Sequence, residues 1–153
     1  MTAYRNAITI LMADDDEDDR MLTREAFREC RLANELRFVE DGEELMAYLR
    51  REGSYGNGAE APRPGLILLD LNMPRKDGRE ALREIKSTPG LRHIPVVVLT
   101  TSQAEEDIVR TYDLGVSSFI AKPVDFESMV EVVKILGQYW FEIVELPRGS
   151  DEA

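Results

Sequence analysis

Six acids stand in a row at residues 14–19, Asp-Asp-Asp-Glu-Asp-Asp, directly after the apolar run 8–13. Asp70 follows the apolar run 66–69, Thr100 follows 95–99, and Lys122 precedes Pro123 after 117–121. Each of these polar residues stands where a buried strand should deliver its C-terminal end. Three carboxylates (Asp14, Asp15 and Asp70) brought to one edge cannot all stay ionised without a cation. An oxygen-only donor set with no His or Cys suits Mg²⁺, which takes one or two carboxylates plus phosphate oxygens and keeps several waters. Lys122 adds a point charge suited to phosphate, and the Thr100 hydroxyl can donate to a phosphoryl oxygen. The chemistry this set specifies is phosphoryl transfer, where positioning and charge neutralisation supply most of the catalysis. An Asp carboxylate can serve as its nucleophile.

Each residue also has a plainer reading. Asp14 and Asp15 fit the start of a helix, whose dipole favours acids. Residues 16–19 fit that reading best, as a cap and first turn that also offers a kinase contact. Asp70 would suit a turn, Thr100 a strand end and Lys122 an exposed loop. Their joint occurrence after buried runs is what makes them a site. His93, the only histidine, falls in a loop and has no phosphocarrier role, so a phosphohistidine must come from another protein.

The elements that must position these residues follow from periodicity. Residues 8–13, 36–39, 66–69, 95–99 and 117–121 read as short apolar strands. Leu22, Ala26, Cys30 and Ala33 mark a helix after the first, and Leu45, Tyr48 and Leu49 a helix after the second. Residues 53–65, rich in Gly and Pro, read as a loop. Residues 79–87 and 103–114 read as helices, the latter capped by Ser102 and closed by Gly115. A long helix starts near Asp125. Five strand-then-helix repeats imply parallel strands with right-handed crossovers. The expected fold is α/β, a flavodoxin-like doubly wound five-stranded parallel sheet of order 2-1-3-4-5, with five helices and an extended C-terminal helix.

Four segments together resemble the receiver domain of two-component response regulators: Ile10-Leu-Met-Ala-Asp-Asp15, Leu68-Leu-Asp-Leu-Asn-Met-Pro-Arg-Lys-Asp-Gly78, Val97-Val-Leu-Thr-Thr-Ser102 and Phe119-Ile-Ala-Lys-Pro123. The resemblance covers residues 6–136. It implies that Asp70 is the phosphoacceptor, that Asp15, Asp70 and the backbone carbonyl of Asn72 bind Mg²⁺ directly, and that Asp14 binds it through water. It also implies that Lys122 pairs with the phosphoryl group across a cis Lys122–Pro123 bond, that Thr100 moves toward a phosphoryl oxygen, and that Phe119 swings inward behind it. Thr101 stands where the family often has Ala, and Phe119 where Tyr is common. The implied protein catalyses only its own phosphorylation and dephosphorylation, with a sensor histidine kinase as partner. A haloacid-dehalogenase-type phosphatase would also use a strand-end Asp, but it needs a general acid two residues on, where this chain has Asn72. A phosphate-independent docking module would have no need of the acidic pair, Thr100 and Lys122.

The C-terminal helix carries two apolar stripes. Phe126, Met129, Val130, Val133, Leu136, Trp140 and Val144 form one; Val132, Ile135, Tyr139, Ile143 and Leu146 form the other. One stripe suffices to pack on the sheet, so the second points to a partner surface. Tyr139, Trp140, Phe141, Ile143, Val144 and Leu146 are therefore the expected interface of a homodimer built through the fourth helix, fifth strand and fifth helix. Residues 6–136 are expected to form the receiver domain, 137–147 the helix extension and 148–153 a flexible tail. The 53–65 loop and the ending 139–147 resemble the subfamily paired with phytochrome kinases.

The chain has 153 residues and a net charge of −11, with a single cysteine. That length suits one domain. The acidic excess argues against nucleic acid or an anionic membrane as partner. One cysteine excludes an internal disulfide, and the short apolar N-terminal run suits neither signal peptide nor membrane span. The expected location is the cytoplasm.

Overall fold

A computed structural model describes residues 8–32, 34–56, 61–100, 118–123 and 125–138, with the strand backbone alone at Thr100, Ser118 and Phe119. The strands are β1 (Thr9–Ala13), β2 (Leu36–Val39), β3 (Pro64–Asp70), β4 (Val96–Thr100) and β5 (Ser118–Ala121). The helices are α1 (Glu17–Glu29), α2 (Gly42–Arg50), α3 (Gly78–Ser87) and α4 (Phe126–Leu136). All strand pairs are parallel, in the order β2-β1-β3-β4-β5. That is the expected doubly wound sheet. The helix expected at 103–114, its Ser102 cap, Thr101 and the segment 139–153 lie outside the described residues.

Strand side chains alternate faces, and the alternation divides the core in two. Leu11, Ala13, Ile67, Leu69, Val96 and Val98 face Leu45, Met46 and Leu49 of α2 and Ala81, Leu82 and Ile85 of α3. Ile10, Met12, Leu66, Leu68, Val97 and Leu99 face Ala26 and Phe27 of α1 and Met129, Val133 and Leu136 of α4. Because both faces are covered, the central strands read as unbroken apolar runs. Each fully buried Leu or Ile removes enough apolar surface to favour folding by about 1.5–3 kcal/mol.

Where the strands end, the helices begin, and all four described α-helices start on an aspartate. Asp16 accepts from the Asp18 N–H, Asp41 from Glu44, and Asp125 from Ser128. Asp77 forms a reciprocal capping box with Glu80. A good share of the acids seen in the sequence thus satisfies helix ends. The expected strand 66–69 starts earlier, at Pro64, because a proline at a strand's first residue sacrifices no ladder donor. β4 starts one residue later than expected, although the Pro95 carbonyl still accepts from the Ile67 N–H at 3.0 Å. The 53–65 loop contains a 3₁₀ turn, Gly53–Tyr55. The Tyr55 hydroxyl ties it to α2 by donating to Glu44 at 2.6 Å.

Candidate functional site

The C-terminal ends of β1 and β3 are adjacent, since Ala13 pairs with Leu69. This register brings Asp14, the residue after β1, beside Asp70, the last residue of β3. Carboxylate oxygens of Asp14, Asp15 and Asp70 all lie within 4.8 Å of one another. Thr100 ends β4 opposite Ala121 of β5, which carries the chain to Lys122 at the same edge. Asp14, Asp15, Asp70 and Lys122 therefore come together, and the backbone of Thr100 ends its strand at the same edge. The side chains of Thr100 and Phe119 lie outside the described residues, so their switch roles remain expectations.

Asp14 is 0% exposed and Asp70 5%, whereas Asp15 lies open to solvent. Asp14 Oδ1 accepts the Asp16 N–H at 2.9 Å. Lys122 Nζ is 3.0 Å from Asp14 Oδ2, yet that buried oxygen has no hydrogen bond of adequate direction. The charges attract, but an acceptor position is left over. Asp70 Oδ1 accepts the Asn72 N–H at 3.1 Å, and Oδ2 accepts from Lys122 at 3.1 Å.

Burial pushes the Asp14 carboxyl up to about 6, against the Asp16 N–H and the Lys122 ammonium. It also raises Asp70, opposed by Lys122 and the Asn72 N–H. Burial works against the charge of Lys122, but the Asp19 and Asp14 carboxylates outweigh it and hold the ammonium above the ordinary lysine range. The site therefore holds more negative charge than its single ammonium balances. Buried, underneutralised carboxylates with an unused acceptor are the chemistry of a hard divalent cation site. The donor set fits such an ion.

Three features were not legible in the sequence. Asp19, assigned there to the first helical turn, pairs with Lys122 at 2.7 Å. It occupies the third helical position, where a longer Glu or Gln would reach back to the cap. A short acid at that position was the available signal. Arg20 donates to the Asp14 carbonyl at 2.7 Å and so fixes the turn that presents the acidic pair. The expected cis Lys122–Pro123 bond is not observed, as no described peptide bond is cis. Trans is the lower-energy isomer for X–Pro by roughly 0.5–1 kcal/mol, and from it the ammonium already reaches three carboxylates.

The loop after Asp70 is fastened at both ends. The Gly78 N–H donates to the Leu71 carbonyl at 2.9 Å. A Cβ on Gly78 would sit 2.4 Å from the Asp70 carbonyl oxygen, so only glycine lets α3 start this close to the site. Further along, the Gly42 N–H donates to the Lys76 carbonyl at 2.9 Å, and Arg75 reaches Asp41 at 2.7 Å. Arg75 adopts φ 64°, in the left-handed region that favours glycine. Two effects thus oppose each other at this residue. Arg75→Ala should cost about 1 kcal/mol in urea unfolding, because it drops the ion pair and keeps the unfavourable φ. Arg75→Gly should cost less, and the reverse order would show that the ion pair does not hold the loop.

Comparison with known proteins bears on this arrangement. The profile of the response regulator receiver domain matches residues 10–134. The response regulator Rcp1 of Synechocystis sp. is 43% identical over 138 residues, covering 90% of this chain and 92% of that protein. The crystal structure of the phosphorylated cyanobacterial phytochrome response regulator RcpA superposes with a TM-score of 0.82 at 46% identity, covering 90% of this chain and 96% of that one. The Mn(2+)-bound form of Rcp1 superposes with a TM-score of 0.80 at 41% identity, covering 88% and 95%.

Proposed function

Because the chain belongs to the response regulator receiver domain family, we propose that it is a single-domain response regulator that accepts a phosphoryl group on Asp70 from a sensor histidine kinase. The observation that carries this reading is the juxtaposition of Asp14, Asp15 and Asp70 within 4.8 Å, with the Lys122 ammonium 3.1 Å from Asp70. An Asp70 carboxylate oxygen attacks phosphorus in line. The bond to the donor's imidazole nitrogen breaks with its electron pair, the ring, protonated on its other nitrogen, leaves as neutral imidazole, and an acyl phosphate forms. Lys122 pairs with the phosphoryl oxygens, Thr100 donates to one of them, and Phe119 turns inward behind it. Water later attacks phosphorus, releasing inorganic phosphate and restoring the carboxylate.

The cation is Mg²⁺ in this reading. Asp15, Asp70 and the Asn72 carbonyl would hold it directly, and Asp14 would hold it through water. When bound, it supplies charge neutralisation for the incoming phosphoryl group. Support comes from the unused acceptor on buried Asp14 and from the Mn(2+)-bound form of Rcp1. The kinase is of phytochrome type, a reading supported by the likeness to RcpA. The protein catalyses only its own phosphorylation and dephosphorylation. Asn72 stands where a phosphatase of the strand-end Asp type needs a general acid.

The test is incubation of the purified chain with a small phosphodonor. Wild type should take up acid-stable, base-labile label with Mg²⁺ present, and chelation should remove the uptake. Equal labelling with and without the cation would overturn the metal-dependent mechanism.

In this reading residues 6–136 are the receiver domain, 137–147 extend its last helix and 148–153 form a tail. The protein acts in the cytoplasm, without nucleic acid or membrane contact. Among the described residues no helix is long and apolar enough to cross a membrane. A homodimer forms through the helix expected at 103–114, β5 and α4 with its extension. Ile135, 51% exposed on α4, supports a partner for the second apolar stripe. The proposed contacts Tyr139, Trp140, Phe141, Ile143, Val144 and Leu146 lie outside the described residues. Size-exclusion chromatography with light scattering should give twice the chain mass at micromolar concentration, and a monomer there would remove the dimer.

A further inference from the structure

A lysine ammonium has three N–H donors and no acceptor. Lys122 Nζ stands 2.7 Å from Asp19 Oδ2, 3.0 Å from Asp14 Oδ2 and 3.1 Å from Asp70 Oδ2. Two of these partners have other work. Asp70 is the proposed phosphoacceptor, and Asp14 belongs to the carboxylate group suited to a cation. Asp19 belongs to neither. It comes from the first turn of α1 and lies outside that carboxylate group, yet it makes the shortest of the three contacts.

From this geometry we propose that Asp19 is a positioning residue that competes with a phosphoryl group on Asp70 for the Lys122 ammonium. The inference rests on the phosphoacceptor reading above. All three carboxylates attract one ammonium, so turning Lys122 toward a phosphoryl oxygen weakens its hold on the nearest of them. A cation would take over the charge of Asp14, and phosphorylation consumes the charge of Asp70. Asp19 alone keeps its full claim on the lysine. Its side chain is 23% exposed, so water can solvate the carboxylate once Lys122 leaves. The competition is therefore finite, and it tunes the site without blocking it. Affinity for the phosphoryl group and affinity of Lys122 for Asp19 are linked with opposite sign.

The probe is beryllium fluoride with Mg²⁺, which forms a tetrahedral phosphoryl-like group on a carboxylate oxygen, titrated calorimetrically into the full chain. Asp19→Asn and Asp19→Ala should each bind it about three- to tenfold tighter than wild type, the scale of one partly exposed ion pair. Asp18→Asn makes the same change in net charge from an exposed neighbouring residue, and it should bind as wild type does. A merely structural role for Asp19 would weaken binding or leave it unmoved. Unchanged or weaker affinity in both Asp19 variants, or equal tightening by Asp18→Asn, would overturn the competition while leaving the phosphoacceptor reading intact. A wild type that binds no beryllium fluoride, or an Asp70→Asn variant that binds it equally well, would overturn the phosphoacceptor reading and this inference with it.

Discussion

Asp70→Asn is expected to take up no label from a small phosphodonor under conditions that label wild type. The substitution keeps the size and shape of the side chain, so it isolates chemistry from packing. A carboxylate oxygen carries the electron density that attacks phosphorus, and an amide oxygen shares its density with the neighbouring nitrogen. The surroundings reinforce the loss. Asp70 Oδ1 accepts the Asn72 N–H, and Oδ2 accepts from Lys122. An amide can satisfy only one of these donors and turns its own N–H₂ toward the other. The carboxylates available to the cation also fall from three to two. Folding should survive, because the change removes one acid from a site already rich in negative charge. Circular dichroism of the variant should therefore match wild type while incorporation drops to background. Labelling of the variant at wild-type level would move the phosphoacceptor to another residue.

The strands and their order were legible in the sequence because both faces of this sheet are covered. Unbroken apolar runs such as Leu66-Ile-Leu-Leu69 arise only where alternate residues meet separate cores, here α2 with α3 on one side and α1 with α4 on the other. The strand-end acids could be read by the same logic, since a polar residue directly after a buried run must lie at the sheet edge. The partners of those acids could not. Whether an acid in the run 14–19 meets a cation, a helix end or a lysine depends on where the chain returns more than a hundred residues later. Asp16 caps α1, Asp14 carries the unused acceptor and Asp19 takes Lys122. Composition treats all three alike. The tie between Asp41 and Arg75 was hidden for the same reason, because each looks locally like an ordinary turn residue.

Asp14→Asn should raise the stability of the metal-free protein at pH 7 and weaken its response to Mg²⁺. Burial lifts the Asp14 carboxyl from its ordinary 3.8 to about 6. The folded chain thus holds this proton more tightly than the unfolded chain does. The stability contributed by protonation is complete below the ordinary value and is lost as pH rises through about 6. At pH 7 the carboxylate is ionised and its desolvation weighs fully against folding. A shift of this size corresponds to about 3 kcal/mol. That figure is already net of the Lys122 attraction, but the buried Asn amide carries a desolvation cost of its own, so a net gain of about 1–3 kcal/mol is expected in urea unfolding with chelator present. The same shift fixes the pH dependence. Moving wild type from pH 7 to pH 5 without metal should add about 1 kcal/mol through this group, and the variant should lose that increment. Asp70 is raised as well and acts in the same direction, so some acid stabilisation should persist in the variant. Added Mg²⁺ should work oppositely, because in the proposed reading it would bind the ionised carboxylates and stabilise the fold more as pH rises above 6. Wild type should therefore show its largest metal-induced rise in melting temperature near neutral pH and a small one at pH 5. An Asp14→Asn variant less stable than wild type in chelator would mean that Asp14 stabilises the fold through Lys122 and is not a charge held ready for a cation.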